Sequence, residues 1–345
     1  MAKYSIFFGT YSKGENGLLR GEFDDETGNL RLTDSIDIEN PSYLHLNKNI
    51  LYGVSEVSSF QGLNGGSLFS VSIADSEKMS LISMEGTNGK SPCHLCTQDK
   101  YVFAANYSEG SLSVFEADDS GVVAPCCLSL HHYGKSANPN RQRQSHIHFT
   151  AMSPDGAYLA VCDLGLDKVF LYPYSSEKGL STNANIINCP AGSGPRHLTF
   201  SADGEYLYVL TELSNTVLVY KYNGGNPSFL QEISTLPADF TGNTASAAIH
   251  LSPDGKFVAS SNRGHDSIAV FAIQSGGRLE FSKHIMTGKE PRDFRFAPSG
   301  KWILSANQND SSVTVYKINK SDNTFTETSS IVIPTANKPV CILFG

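Results

Sequence analysis

The sequence predicts an all-β protein, a seven-bladed β-propeller whose blades each have four strands. Three observations predict this fold. Turn motifs such as SPDG recur and end at Gly156, Gly204, Gly255 and Gly300, with spacings of about 45 to 51 residues that are typical of a propeller blade. An alternating apolar run such as AYLAV or EYLYV follows each turn, and a short polar loop then leads to another run, such as KVFLY or TVLVY. No long pattern of helical period separates these copies.

The clearest copy of the repeat is the segment 194–220, GPRHLTFSADGEYLYVLTELSNTVLVY. It holds three apolar runs, and the first two are joined at Asp203 and Gly204. An Asp-Gly pair between alternating apolar runs is a strong signal for a β-hairpin. A fourth, less regular strand is expected before the next copy, which completes the blade.

Weaker copies extend the repeat toward both ends of the chain. Counting them gives seven blades, which begin near residues 3, 41, 92, 146, 195, 246 and 291. The N-terminal copy lacks a first strand, whereas the C-terminal KPVCILFG, from Lys338, is a first strand with nothing after it. We therefore expect the two termini to pair inside one blade, which closes the ring and protects the edges of that sheet. The expected unit is one domain over residues 1–345, and six blades plus an irregular N-terminal hairpin is the alternative.

The composition narrows the classes of function. With 26 Lys and Arg against 34 Asp and Glu, the formal charge is −8, which argues against a nucleic-acid partner. No apolar run approaches the roughly 20 residues that a membrane-spanning helix needs, so no membrane association is expected. The N-terminal run MAKYSIFFGTYS is typical of a strand and not of a signal peptide. We expect a cytoplasmic protein, either a monomer or a homodimer.

Neither a metal nor an organic cofactor is predicted. The seven cysteines are scattered, and Cys93 with Cys96 makes a lone CxxC pair that nothing completes as a zinc site. Buried positions on a strand are the simpler interpretation of these two residues. The pair His131 and His132 lacks a third ligand at a usual spacing. Walker, GxSxG, HExxH and dinucleotide-binding motifs do not occur in the sequence.

The candidate site follows from comparing the copies at two positions that should open on the same face, around the mouth of the central channel. Eight residues before the turn glycine, successive copies carry His148, Arg196, Ala247 and Arg292. Strand propensity does not explain Arg or His where a strand enters a crowded channel. These side chains either bond to carbonyls of neighbouring blades or converge on an anion, which the planar fork of arginine binds bidentately.

The second position follows the second strand of each copy. Two adjacent residues are compared there. The first is Asn, Asp or Thr in the successive copies, and since these residue types satisfy backbone groups at turns, a structural role is the simpler interpretation of this column. Asn262 of this column is nevertheless kept as a candidate for substrate binding. The next residue in each copy is not explained by the needs of a turn. In successive copies it is Tyr107, Leu164, Glu212, Arg263 and Gln308. Glu212 is expected to meet Arg196 at the channel mouth.

These comparisons predict a site with a positive mouth on an acidic protein. Such a local field attracts anionic substrates despite the net charge. A carboxylate and an imidazole at one place also supply a general base and a general acid near neutral pH. The predicted catalytic residues are Glu212, His148 and Arg196, and the predicted substrate-binding residues are Arg263, His146, Arg292, Tyr107 and Asn262.

The repeats resemble the lactonase family of seven-bladed propellers, which includes the propeller type of 6-phosphogluconolactonase and the fungal carboxymuconate cycloisomerase. The segments SHIHF, GPRH, the TE loop and SNRGHDS carry the resemblance, which extends from FFGTYS to the C-terminal strand. It implies lactone chemistry without a metal or organic cofactor. The family's histidine falls on His146 or His148, with His148 favoured, and its arginines and glutamate fall on Arg196, Arg263 and Glu212. The family's usual proline before the first histidine is replaced by Ser145.

The resemblance also implies a substrate, a small anionic sugar lactone. The expected reaction is hydrolysis of 6-phosphogluconolactone to 6-phosphogluconate in the pentose phosphate pathway. Glu212 or His148 would activate water and the other would protonate the ring oxygen, while arginines hold the phosphate and the oxyanion. The alternatives are a muconate-type cycloisomerase, a lactonase for another sugar acid, and a non-catalytic propeller that binds a ligand or a protein partner. A protein-binding propeller predicts a broad exposed apolar patch.

Overall fold

The structure, a computed structural model, describes residues 3–319, 324–332 and 337–345. Its strands form seven sheets that match the predicted blades, with first strands close to the predicted starts. Blade 4 differs slightly, because its outer edge is split into two short strands that both pair with the third strand. The part of the chain described here contains no helix long and apolar enough to cross a membrane.

The strands of each blade are given from the channel outward. They are Lys338–Phe344, Lys3–Tyr11, Lys13–Asp24 and Leu30–Glu39 in blade 1; Pro41–Asn47, Ile50–Ser55, Ser67–Ser72 and Ser80–Gly86 in blade 2; Pro92–Gln98, Tyr101–Asn106, Ser111–Glu116 and Leu128–His131 in blade 3; Ile147–Met152, Tyr158–Asp163, Lys168–Ser175, Gly179–Leu180 and Asn185–Asn188 in blade 4; Pro195–Phe200, Tyr206–Thr211, Thr216–Lys221 and Ser228–Ser234 in blade 5; Ala245–Leu251, Phe257–Arg263, Ser267–Ile273 and Leu279–Met286 in blade 6; and Pro291–Phe296, Trp302–Asn307, Ser312–Asn319 and Thr324–Val332 in blade 7. Outside the blades lie a small hairpin of Ser59–Phe60 and Leu63–Asn64, and a 3-10 turn at Ser275–Gly277.

The two termini close the ring as predicted. The C-terminal strand pairs antiparallel with the N-terminal strand, for example Phe7 opposite Leu343 and Phe8 opposite Ile342. The C-terminal strand also contacts the inner strands of blades 2 and 7, so the inner strands form an unbroken ring. This pairing places the N-terminal strand inside the sheet, between the C-terminal strand and Lys13–Asp24.

The hydrophobic core lies between neighbouring blades, where their faces pack together. Between blades 4 and 5, for example, Phe149 and Leu171 join Leu198 and Val209 in one buried cluster. Side chains alternate along each strand, so each blade contributes one set of apolar residues to each of its two neighbours. The inner strands are thereby held rigidly around the channel.

A β-bulge interrupts the inner strand of every blade near its start. In blade 4, Ile147 lies opposite Asp163 and Phe149 opposite Cys162, so His148 is left out of the pairing. A bulge leaves one residue unpaired and redirects its side chain. We call these residues the bulge positions; in blades 1 to 7 they are Val340, Ser42, Cys93, His148, Arg196, Ala247 (with Ala248) and Arg292.

Candidate active site

Two sets of residues build the mouth of the channel. The first set is the bulge positions, and the second has one residue per blade, which is the last residue of the second strand or the residue just after it. In blade 5, the backbone N–H of Glu212 donates to Gly194 O, just before the inner strand, and the equivalent residue of blade 2, Glu56, donates in the same way to Asn40 O. We call this second set the strand-end positions. From blade 1 to blade 7 they are Tyr11, Glu56, Tyr107, Leu164, Glu212, Arg263 and Gln308.

Glu212 lies at the centre of a cluster of arginines. Its Oε2 is 2.9 Å from Arg196 Nε and 2.9 Å from Arg263 Nη2, while Oε1 accepts a hydrogen bond from Arg141 Nη2 at 2.5 Å. The side chain of Glu212 is 5% exposed, so these charges interact with little screening by water. The structure therefore brings together Glu212, Arg196 and Arg263, as the sequence predicts, and adds Arg141.

The arginines fix the protonation state of Glu212. Burial alone would raise the pKa of this carboxyl, but the guanidiniums of Arg263 and Arg196 hold the pKa well below its usual range. Burial, with the neighbouring Arg263 and Arg292, lowers the pKa of Arg196 to about 10. Both groups are thus charged at neutral pH, and Glu212 is a weak base.

Arg196 is anchored on several sides. It is 2% exposed, and its Nη1 donates to the Ala247 carbonyl of the neighbouring blade and to Nε2 of His197 at 3.0 Å. The structural interpretation of the bulge positions therefore applies to Arg196, and its role in binding a substrate anion stays a prediction. It bonds to a neighbouring blade and at the same time holds an anion, the carboxylate of Glu212.

Of His146 and His148, it is His148 that lines the channel cavity. It is 5% exposed, and its ring lies 5.3 Å from that of His197 and 5.4 Å from that of Tyr107. Burial and the charge of Arg196 lower the pKa of His148 well below the usual histidine value, so its imidazole is neutral at pH 7. Its Nδ1 is buried and has no hydrogen-bond partner among the described residues.

His146 and Tyr107 lie together at the rim. Their rings stack at 4.4 Å, and His146 Nδ1 is 3.0 Å from the carbonyl oxygen of Tyr107. The Tyr107 hydroxyl accepts a hydrogen bond from Arg141 Nη2 at 3.3 Å, which links this pair to the Glu212 cluster. Tyr107 is therefore near the predicted centre, and His146 supports it from the outer side.

Asn262 does not reach the mouth, which corrects its inclusion among the substrate-binding candidates. It is fully buried, and its side-chain amide bonds to Ser246 and Ser267 of blade 6 and to Thr235, which lies between blades 5 and 6. Those contacts hold the end of the second strand, where Arg263 follows Asn262. The structural interpretation of this column is the correct one for Asn262.

Arg292 belongs to a second cluster on another side of the mouth. Its Nη2 donates to the Tyr11 hydroxyl at 2.7 Å, and that hydroxyl donates to Oε2 of Glu56 at 2.9 Å. The sequence comparison missed Glu56 and Tyr11 because it did not extend the strand-end column to blades 1 and 2. Arg141 lies on the loop that joins blades 3 and 4, outside the repeat, and no periodic signal marks it.

A narrow cavity connects the two clusters. Its lining comes largely from the bulge positions and consists of Ser42, Tyr43, Glu56, Cys93, His148, Arg196, His197, Arg292, Asp293 and Val340. Among the described residues, no three His, Cys, Asp or Glu side chains are placed to hold a metal ion. The site offers charged and hydrogen-bonding groups, which suits acid–base chemistry on an anion.

A wider groove opens on the opposite face, at the turn loops of blades 6 and 7. It is lined by side chains such as Phe257, Phe296 and Pro298, together with Asp254 and Lys256. Among the residues that the structure describes, no arginine or histidine lines this groove, so they do not supply the anion-binding and proton-transferring groups of the mouth.

Comparison with known proteins agrees with this fold. Residues 5–344 match the family model described as "Lactonase, 7-bladed beta-propeller". The chain belongs to this lactonase family. A 6-phosphogluconolactonase from Bacillus subtilis is 36% identical over 306 residues, which cover 86% of each chain.

Two solved structures have the same lactonase-family fold over essentially the whole chain. A periplasmic gluconolactonase from Pseudomonas aeruginosa is 33% identical, with a TM-score of 0.92 and 99% of each chain covered. A candidate 6-phosphogluconolactonase from Bacteroides uniformis is also 33% identical, with a TM-score of 0.91 and full coverage of both chains. The mouth described above thus belongs to a propeller whose named relatives act on sugar lactones.

Proposed function

We propose that this lactonase-family propeller hydrolyses 6-phospho-D-glucono-1,5-lactone to 6-phosphogluconate, a step of the pentose phosphate pathway. The observation that carries the proposal is the cluster of three guanidiniums around the buried Glu212 carboxylate, beside the neutral imidazole of His148. The name of the Bacillus subtilis relative supports the same reaction.

The arginines meet the main need of this substrate, which is to hold negative charge. The side chains of Arg141 and Arg263 are 41% and 14% exposed, so their guanidiniums contact both Glu212 and the mouth. We assign the phosphate to this rim, because the guanidinium fork suits phosphate oxygens. The developing oxyanion is assigned to Arg196 and Arg292, which line the inner cavity.

Glu212 and His148 differ in what they can contribute to catalysis. Glu212 is a poor proton acceptor because its pKa is held so low, and its fixed negative charge instead positions three arginines. His148 is neutral and has a free Nδ1, with which it can hydrogen-bond the attacking water or the ring oxygen. Activation of water by Glu212 is therefore the less favourable of the two initial hypotheses.

Lactone hydrolysis measured with matched variants tests the proposal. We expect wild-type protein to speed hydrolysis of the phosphorylated lactone above the enzyme-free rate, and Glu212→Gln and Arg196→Ala to lower kcat/KM by about 100-fold or more. Glu205→Gln is the control, since this carboxylate is exposed and pairs with Lys221 at the surface. Wild-type rates in both site variants would contradict the proposal.

A second candidate substrate is the unphosphorylated lactone, because the Pseudomonas aeruginosa relative is named a gluconolactonase. The same assay with both lactones separates the two. Preference for the phosphorylated lactone should disappear in Arg141→Ala if this arginine holds the phosphate. An equal preference for the phosphorylated lactone in wild type and Arg141→Ala would place the phosphate elsewhere. A wild type without this preference would favour the unphosphorylated substrate.

A cytoplasmic location is part of the proposal. All seven cysteines are free, which suits a reducing compartment. The periplasmic relative means that family membership alone does not decide the location. Cell fractionation tests it directly, and recovery of the protein outside the cytoplasmic fraction would contradict it.

A further inference from the structure

The mouth contains a second carboxyl group, Glu56, which holds in blade 2 the strand-end position that Glu212 holds in blade 5. Blades 2 and 5 are three apart in a ring of seven, so the two carboxyl groups approach the channel from nearly opposite sides. Glu56 is part of the cavity lining together with His148, Arg196 and Arg292. The cavity has a volume of about 10 Å³, enough for a single water, so a water in it would lie between the arginines and Glu56.

The contacts of Glu56 differ from those of Glu212. Three guanidiniums bond to Glu212, whereas the Glu56 carboxyl accepts a hydrogen bond from a neutral group, the Tyr11 hydroxyl, at 2.9 Å. Arg292 reaches Glu56 through that hydroxyl, to which it donates at 2.7 Å. Tyr11 thereby fixes the position of the carboxyl without neutralising its charge.

The environments of Glu56 and Glu212 shift the pKa values of the two carboxyl groups in opposite directions. Burial raises the pKa of Glu56, and the charge of Arg292 only partly offsets this effect. The arginines around Glu212 hold the pKa of that residue well below its usual range. When the environments of two carboxyl groups push their pKa values apart, the two groups take different catalytic roles. The group whose pKa lies closer to neutral pH transfers the proton.

We propose that Glu56 is the proton-transferring residue of this site, which accepts the proton of the attacking water and returns it to the ring oxygen. The inference rests on the proposed lactone hydrolysis. Water adds to the lactone carbonyl as one O–H bond breaks and its proton moves to Glu56, which leaves an oxyanion beside the arginines. The ring C–O bond then breaks, the proton moves from Glu56 to the leaving oxygen, and the new carboxylic acid ionises to solvent.

A purely structural role is the competing explanation, because Glu56 and Tyr11 also link blades 2 and 1, and Arg292 links them to blade 7. A structural residue would alter stability or KM but would leave the pH dependence of kcat unchanged. A proton-accepting carboxylate must be ionised to act, so kcat should fall as the pH drops through its pKa. The midpoint of this acid limb should lie above the value of about 4.3 for an ordinary glutamate.

The experiment compares kcat–pH profiles of wild type, Glu56→Gln, Glu56→Asp and Tyr11→Phe, each corrected for enzyme-free hydrolysis. We expect Glu56→Gln to lose about 100-fold or more in kcat together with the acid limb, and Glu56→Asp to recover part of the rate and the limb. Glu77→Gln, an exposed carboxylate of the same blade, is the control and should match wild type.

Tyr11→Phe keeps the test decisive if Glu56→Gln folds poorly. Loss of the hydroxyl removes a hydrogen bond that favours the ionised carboxylate, so the acid limb should move to higher pH. The inference about Glu56 is overturned if the acid limb of the kcat–pH profile is unchanged in Tyr11→Phe. It is also overturned if Glu56→Gln keeps that limb and a kcat within threefold of wild type. Neither result would overturn the proposed function. Absence of lactone turnover by wild type would instead overturn the proposed function and this inference with it.

Discussion

Replacing Glu212 by Gln should destabilise the folded protein strongly, because the change removes the counter-charge of three arginines. The magnitude follows from their exposure. The side chains of Arg196 and Arg263 are 2% and 14% exposed, and leaving buried charges unpaired costs about 3 to 5 kcal/mol. Arg141 is 41% exposed and returns to water, so its lost ion pair adds about 1 kcal/mol at most.

The destabilisation should depend on pH in a defined direction. The pKa of Glu212 is depressed in the folded state, so its stabilising contribution is fully present above the unfolded value of about 4.3 and is lost as the pH falls toward the folded value. The difference in the free energy of unfolding between wild type and Glu212→Gln should therefore be constant from pH 7 to about 5. Below about pH 4.3 it should shrink.

Urea unfolding of both proteins over this pH range measures the effect. Glu205→Gln serves as the matched control, since its ion pair with Lys221 is exposed on both sides and is screened by water, so this change should leave the free energy of unfolding nearly unchanged. A free energy of unfolding for Glu212→Gln within about 1 kcal/mol of wild type at pH 7 would refute the electrostatic reasoning. So would a difference that grows on acidification.

Three further predictions concern the rest of the fold. Ile342→Ala, in the strand that closes the ring, should cost about 2 to 5 kcal/mol in urea unfolding because Ile342 is fully buried, whereas Ala at the exposed Lys338 of the same strand should be nearly neutral. Gly28→Ala should lower the thermal midpoint, since Gly28 has a φ of 76° and an added Cβ would lie 2.5 Å from the Trp302 ring; an unchanged midpoint would contradict that packing. With a thiol reagent, native protein should be labelled first at Cys127, the exposed cysteine, and the four buried cysteines should react only after denaturant is added.

The blade architecture could be predicted from the sequence because local signals repeat. Each Asp-Gly or Ser-Gly turn marks a hairpin, and the spacing of the turns gives the blade length without knowledge of tertiary contacts. Ring closure could also be predicted, since a first strand without a blade at the C-terminus complements a blade without a first strand at the N-terminus. The seven sheets and the pairing of the terminal strands confirm these inferences.

The candidate site could be predicted only where the repeat supplied a reference. Arg196 and Glu212 stood out because most of the other aligned copies have different residues there, and the structure brings them within 2.9 Å. Blades 1 and 2 lack the turn glycine that anchored the comparison, so Glu56 was not aligned with Glu212. Arg141 lies on a loop between blades and has no equivalent in the repeat. Its contact with Glu212 depends on the path of that loop, which a repeat comparison does not determine.

The bulges explain why a regular ring can carry an irregular site. A bulged residue takes no part in the ladder, so the sheet places few demands on its side chain, and the seven bulge positions accordingly range from Val340 to Arg292. The strand-end positions are similarly unconstrained, because the column before them, which includes Asn262, satisfies the turn.

Each blade thus presents two positions to the mouth whose side chains can vary at little cost to folding. Only some of these positions carry charged residues, so the mouth is asymmetric although the seven blades are alike. In blade 5 Glu212 is neutralised by arginines, whereas in blade 2 Glu56 is held by a hydroxyl group. A single lactone has two chemically different ends, and an asymmetric mouth can bind it in one orientation. We therefore expect specificity in this family to change through these two sets of positions, since substitutions there leave the cores between the blades intact.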